Sequence, residues 1–336
     1  MHKGLTYDDV LLVPQYSDIK SRKEVSLETD LGGEVELDLP IIASPMDTVS
    51  EANMAWGMGE SGGVSIIHRY NSIAEQSGII ASIPRTTNIG AAVGVGEDME
   101  ERARSAVEAG ANIICIDVAH GHHILVKEAL SKLRNIFANT IHIMAGNVAT
   151  LEGFNDLADW GADSIRCNIG GGSICTTRIQ TGHGVPGLET ILQCAKSDRN
   201  AKIIADGGIK NSGDIVKALA AGADAVMLGS LLAGTDCSPG TIFKTETGEL
   251  RKTYRGMASA AAQKDWRGRV ASCEGVSSSV PYRGKLADVL YELERGIRSG
   301  LSYSGARSVK ELQAKAQWLQ QSSASATESS AHIRLR

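Results

Sequence analysis

Eight short apolar runs recur along the 336 residues and limit what the chain can become: "LPIIAS" (39–44), "GVSIIH" (63–68), "IGAAVGV" (89–95), "NIICIDV" (112–118), "IHIMAGN" (141–147), "DSIRCNI" (163–169), "KIIADGG" (202–208) and "DAVMLGS" (224–230). Helical patterns such as 97–110 and 126–137 lie between them. The spacing, roughly 22–28 residues for most runs, suits repeated βα units with right-handed crossovers. Eight such units predict an α/β chain closed into a (β/α)8 TIM barrel, a single catalytic domain over residues 1–320. Two intervals are oversized, 169–202 and about 234–284. Loops after the strands build the working face of a barrel, so both oversized segments are expected there. The Ser/Ala-rich end of the chain lacks apolar periodicity and predicts a disordered tail over 321–336.

A formal charge of −5 with scattered Lys and Arg gives no basic stripe, which argues against nucleic acid as a partner. The start, "MHKGLTYDDVLLVP", has no apolar signal core, and the longest apolar stretch, 218–234, is interrupted by Asp224. A cytoplasmic protein with no membrane partner is expected. Six cysteines (115, 167, 175, 194, 237, 273) form no CxxC pair and read as free thiols.

"ADGG" (205–208) and "LGS" (228–230) end the seventh and eighth runs, where glycines let backbone N–H groups approach a phosphate. "GGGSICTTR" (170–178) follows the sixth run and puts Cys175 beside that position among Ser, Thr and Arg neighbours, a polar setting that suits a nucleophile better than a packing residue. A Cys175–His183 hydrolytic dyad is a competing reading, but it leaves the phosphate-site glycines unused. A metal at His120 and His122 in "AHGHH" lacks further ligands in the sequence.

Taken together, "LTYDDVLLVP" (5–14), "ASPMDTV" (43–49), "GAAVGV" (90–95), "DVAHGH" (117–122), "AGNVAT" (145–150), "GGGSICTTR", "IADGGI" (204–209), "VMLGSLLAG" (226–234) and "YRGMAS" (254–259) resemble the IMP dehydrogenase and GMP reductase family from about residue 5 to 318. The resemblance implies that Cys175 attacks C2 of the purine of a nucleoside monophosphate while a nicotinamide cofactor carries hydride. It further implies Ser173, Gly208, Gly229 and Ser230 at the 5′-phosphate, Asp206 at the ribose, Ser44, Met46, Met257 and Glu274 along the base, and Asp117 and Asn147 on the cofactor side. The backbone carbonyls of Gly170, Gly172 and Cys175 match a monovalent-cation position, K+ in some members, although Asn168 and Gly171 depart from the family's "GIGPGS". Homotetramers are implied as well. The paired regulatory domain that many dehydrogenases insert after the second unit is absent, since only "ASIPRTTN" (81–88) stands there.

The resemblance implies an active-site loop over 170–187 and a flap over 256–284, and dehydrogenases of the family hydrolyse the covalent intermediate with an Arg-Tyr pair on that flap. Here the segment between Met257 and Glu274 holds Arg267 and Arg269 but no tyrosine. The Thr-Gly ending of "TTRIQTG" (176–182) is also reductase-like, whereas "GAAVG", "AHGH" and "YRGM" look more like dehydrogenases. The reading favours NADPH-dependent conversion of GMP to IMP and ammonia, with Cys175 as nucleophile and Thr177 and Glu274 moving the proton. The alternative is NAD-dependent oxidation of IMP to XMP.

Overall fold

The computed structural model describes residues 3–270 and 273–329. All eight runs become strands: β1 (Ile41–Ala43), β2 (Val64–Ile67), β3 (Ile89–Val93), β4 (Ile113–Asp117), β5 (His142–Val148), β6 (Ser164–Cys167), β7 (Lys202–Asp206) and β8 (Ala225–Leu228). They pair in parallel and in order, and the ring closes where Val226 of β8 stands opposite Ile41 of β1. This is the expected TIM-barrel arrangement.

Strands in such a ring are covered by helices outside and by one another's side chains inside, so they carry apolar residues continuously. β2 and β3 bury every residue. The inner core holds Ile42, Val64, Ile66, Ala92, Ile113, Met144, Ile204 and Met227, and Leu31, Val35 and Leu37 join it from the hairpin Thr29–Asp30/Glu36–Leu37. That hairpin stops the end where the strands begin: Asp30 pairs with Lys202 at 3.0 Å, and His142 Nδ1 lies 2.9 Å from Gly32 O. The opposite end is left open for a site.

Outside the ring, apolar spacing sets the helix faces. The helix Leu286–Tyr303 buries Leu286, Leu290, Leu293, Ile297 and Leu301, successive steps of three or four residues along one stripe. The helix Ile73–Ala81 begins on the Ser72/Glu75 capping box, and only residues 82–88 separate it from β3. No helix of the described residues is long and apolar enough to cross a membrane.

Two oversized intervals remain. Past β8 the chain builds an antiparallel sheet from Ile242–Lys244, Leu250–Arg255 and Ser277–Pro281, with the helix Ala260–Arg267 between its last two strands. The C-terminal segment differs from the expected disordered tail. Trp318–Gln320 pairs antiparallel with Val10–Leu12, Gln321 Nε2 donates to Asp8 O at 2.7 Å, and Ser322 caps a helix over Ser323–Glu328. Backbone pairing and a cap supply order that periodicity did not signal; residues 330–336 lie outside the described residues.

Candidate active site

The cysteine loop leaves β6 through Asn168 and Ile169, and Ile169 bridges Val185, so the excursion between them is closed at its neck. Gly170 has φ +80°, a conformation that favours glycine. The Cys175 N–H donates to Gly172 O at 3.1 Å, closing a turn within the carbonyl set expected for a monovalent cation. Thr177–Thr181 then forms a short helix.

The flap docks on this loop through its backbone. Thr176 N–H donates to Glu274 O at 2.9 Å, Val276 N–H donates to Ile174 O at 3.1 Å, and Cys175 bridges Gly275. The pairing lines up three side chains from remote stretches of sequence. Cys175 Sγ donates to Thr177 Oγ1 at 3.1 Å, and Thr177 Oγ1 donates to Glu274 Oε2 at 2.8 Å. A proton can pass between sulfur and carboxylate along this row without leaving the protein.

Opposite the loop stand the glycine turns. Gly207 and Gly208, after β7, have φ +82° and +77°, and Gly229 precedes the short helix Ser230–Ala233. A Cβ on Gly229 would lie 2.7 Å from the Tyr254 hydroxyl and 3.2 Å from Ser44 Oγ. A side chain there would therefore fill the point where the two hydroxyls converge. Burial pushes the Tyr254 phenol up to about 12, against the opposing pull of a hydrogen bond with Ser173.

The floor is ionic. Arg166 reaches Asp206 Oδ2 through Nη2 at 2.8 Å and Asp117 Oδ1 through Nη1 at 2.5 Å, and Asn147 Nδ2 donates to the same Asp206 oxygen at 2.7 Å. Burial alone would raise the Asp117 carboxyl, but Arg166 and Arg69 outweigh it and hold the group below its ordinary range. Burial opposes charge on Arg166 too, yet Asp206 and Asp117 keep its guanidinium firmly protonated.

These elements enclose a cavity of about 710 Å³, within the span of small-molecule sites. Cys175, Thr177, Glu274, Ser44, Met46, Ser173, Asp206, Gly208, Gly229, Ser230, Met257, Asp117 and Asn147 all line it, as do Gly170 and Gly172. His183 and His122 do not: His183 Nδ1 lies 2.8 Å from Thr181 O, and His122 Nε2 lies 2.8 Å from Asp156 Oδ2. Among the described residues no group of three or more His, Cys, Asp or Glu could hold a metal ion. Of the other thiols, burial pushes Cys115 up to about 12, and Cys167 is raised by the same cause. Neither lines the cavity, whereas the half-buried Cys175 does.

A family model described as the IMP dehydrogenase / GMP reductase domain matches residues 4–332. The chain belongs to the IMP dehydrogenase / GMP reductase family. An inosine-5′-monophosphate dehydrogenase from Nitrosopumilus maritimus is 34% identical, covering 98% of this chain and 98% of its own length. That alignment runs over 474 positions, so this relative carries residues with no counterpart here. A GMP reductase from Leishmania major is 32% identical, with 98% and 97% covered. Among solved structures, a cysteine-to-alanine variant of a Trypanosoma brucei GMP reductase in complex with guanosine 5′-monophosphate superposes with a TM-score of 0.93 at 31% identity, covering 99% of this chain and 98% of that one.

For this member of the IMP dehydrogenase / GMP reductase family, reading the sequence missed Arg166, Arg69 and Tyr254 as cavity residues. Arg166 carried a signal: a lone cation inside the apolar run "DSIRCNI" is costly unless carboxylates meet it inside the fold. Tyr254 gave none, because its place depends on a sheet formed with residues 277–281.

Proposed function

We propose that the protein is a GMP reductase, an oxidoreductase that converts GMP to IMP and ammonia with NADPH. The observation that carries this reading is the hydrogen-bonded row Cys175–Thr177–Glu274, which joins the cysteine loop to a flap whose sequence holds no tyrosine between Met257 and Glu274. In this reading the glycine turns and Ser230 take the phosphate, and Asp206 takes the ribose hydroxyls. The Cys175 sulfur adds to C2 of the purine. Its proton passes through Thr177 toward Glu274 and on to the exocyclic nitrogen, so that the C2–N bond breaks and ammonia leaves. A nicotinamide cofactor held along the wall of Arg69, Tyr70, Asp117 and Asn147 would supply hydride to C2. Breaking the C2–S bond returns the electron pair to sulfur and frees IMP. No water is activated, so no hydrolytic tyrosine is needed.

The residues present fit a nicotinamide cofactor. Arg69, Tyr70, Asp117 and Asn147 form one wall of the cavity, where Arg69 Nε lies 3.7 Å from Asp117 Oδ2, and beside Tyr70 the buried Asn71 Nδ2 has no hydrogen-bond partner, which suits it to a polar ligand. Tyr70 also lines an adjoining cavity of about 890 Å³ and stacks on Trp266 of the flap, with ring centroids 4.3 Å apart.

The dehydrogenase relatives sustain the second reading, oxidation of IMP to XMP with NAD. Absorbance at the nicotinamide wavelength separates the two. NADPH consumption with GMP, and none of comparable rate with IMP plus NAD, is the expected outcome; fast reduction of NAD with IMP would overturn the proposal.

Glu274→Gln keeps the shape and removes the proton carrier. Turnover should fall by about 10²- to 10³-fold, the usual scale of acid-base catalysis, with KM for GMP moving by under about threefold. A change confined to KM would reduce Glu274 to a recognition role.

A further inference from the structure

Asn168 and Gly171 are the two positions at which the loop departs from "GIGPGS", and they touch. Asn168 is 4% exposed. Its Nδ2 donates to Asp206 O at 2.8 Å and Gly207 O at 3.4 Å, and two carbonyls around the nitrogen fix which way the carboxamide faces. Its own carbonyl accepts Asn147 Nδ2 at 3.1 Å, and its N–H donates to Val148 O at 2.9 Å. The backbone of Asn168 is thus fixed to the end of β5, while its side chain reaches the turn that carries Asp206.

Gly171 is a different case from Gly170. It is not among the glycines with positive φ, so its backbone would accept a side chain. Space forbids one: a Cβ there would lie within 2.8 Å of Nδ2, Oδ1 and Cγ of Asn168. All three obstructing atoms belong to that one residue. On its other side, Gly171 O stands 3.2 Å from where Gly208 would carry a Cβ. The loop is therefore held between the Asn168 wedge and the β7 turn.

We propose that Asn168 is a positioning residue: its buried carboxamide ties the cysteine loop to the Asp206–Gly207 turn and fills the volume of a side chain at 171, making the two positions one coupled unit that sets where Cys175 stands. The inference rests on Cys175 being the reactive thiol of the proposed reaction.

The test is a double-mutant cycle of Asn168→Gly, Gly171→Ala and both together. Two quantities are read: the rate at which iodoacetamide alkylates Cys175, followed by peptide mass, and the kcat and KM for GMP. Gly171→Ala alone should change the alkylation rate at least about tenfold and lower kcat by about 10- to 100-fold, since displacements near 1 Å at a reacting group have effects of that size. In the Asn168→Gly background the same substitution should change either quantity by under about threefold. Equal effects in the two backgrounds, or a harmless Gly171→Ala, would overturn the proposal. If Gly171→Ala does not fold, recovery of a cooperative melt in the double variant supports the coupling, and failure of both while Asn168→Gly folds defeats it. Wild-type protein that consumes no NADPH with GMP would sink the reductase reading and leave the alkylation comparison intact.

Discussion

Cys175→Ala is expected to lower turnover by on the order of 10⁴-fold or more while GMP still binds within about tenfold of wild type. The asymmetry follows from the cavity. The glycine turns at Gly208 and Gly229, and Asp206 with its Arg166 and Asn147 partners, lie on β5–β8 or directly after them and stay untouched when one sulfur is removed. Thr177 and Glu274 remain bonded to each other but lose the group they serve. Incubating the wild type with GMP and observing a nucleotide-sized mass increment on the Cys175 peptide, absent in the variant, would demonstrate the bond directly. Turnover within tenfold of wild type in the alanine variant would remove the covalent mechanism.

The second large effect lies at the ionic floor of the cavity. Arg166→Met replaces the guanidinium by an apolar chain of similar length and leaves Asp117 and Asp206 without their shared cation. Removing one partner of a buried ionic group costs about 3–5 kcal/mol, which should lower Tm by roughly 5–10 °C. The pH dependence carries the sign. In the wild type, Asp117 lies below its ordinary value, so its contribution is present above about pH 3.9 and is lost as pH falls through the folded value. In the variant burial is offset less, and the carboxyl moves up. A raised carboxyl destabilises the fold at neutral pH and ceases to do so once protonated. The Tm gap between the two proteins should therefore narrow from pH 8 to pH 5 in differential scanning fluorimetry; a constant or widening gap would contradict this account.

The barrel was readable because its strands are buried on both faces, which writes each of them as an unbroken apolar run. Val64–Ile67 and Ile89–Val93 fall within the runs at 63–68 and 89–95. Cys175 was readable for the opposite reason, a thiol set among glycines and hydroxyls where packing gives it no purpose. Ser322–Ser329 was not readable, because its order depends on Val10–Leu12 meeting Trp318–Gln320, a pairing of three-residue segments too short to leave a period. Arg255 illustrates a further limit. It grips Asp47 through Nη2 at 2.6 Å and Asp265 through Nη1 at 2.5 Å, tying the flap helix to the barrel mouth, and each charge taken singly resembles any other on a surface. The relay row itself joins positions 97 residues apart, a separation that spacing alone does not bridge.

The meeting of residues 10–12 with 318–320 bears on the order in which the molecule can assemble. Thr6, Tyr7 and Asp8 stand in the cavity wall, and the segment that secures them spans nearly the whole sequence, through the Gln321–Asp8 bond and the Lys217 ammonium on Tyr7 O. Closing so long a loop carries an entropic cost that local contacts do not, so it should be among the last to form. During synthesis, the barrel strands can gather while the cavity still lacks one side, and binding competence should arrive late, after most of the secondary structure is in place.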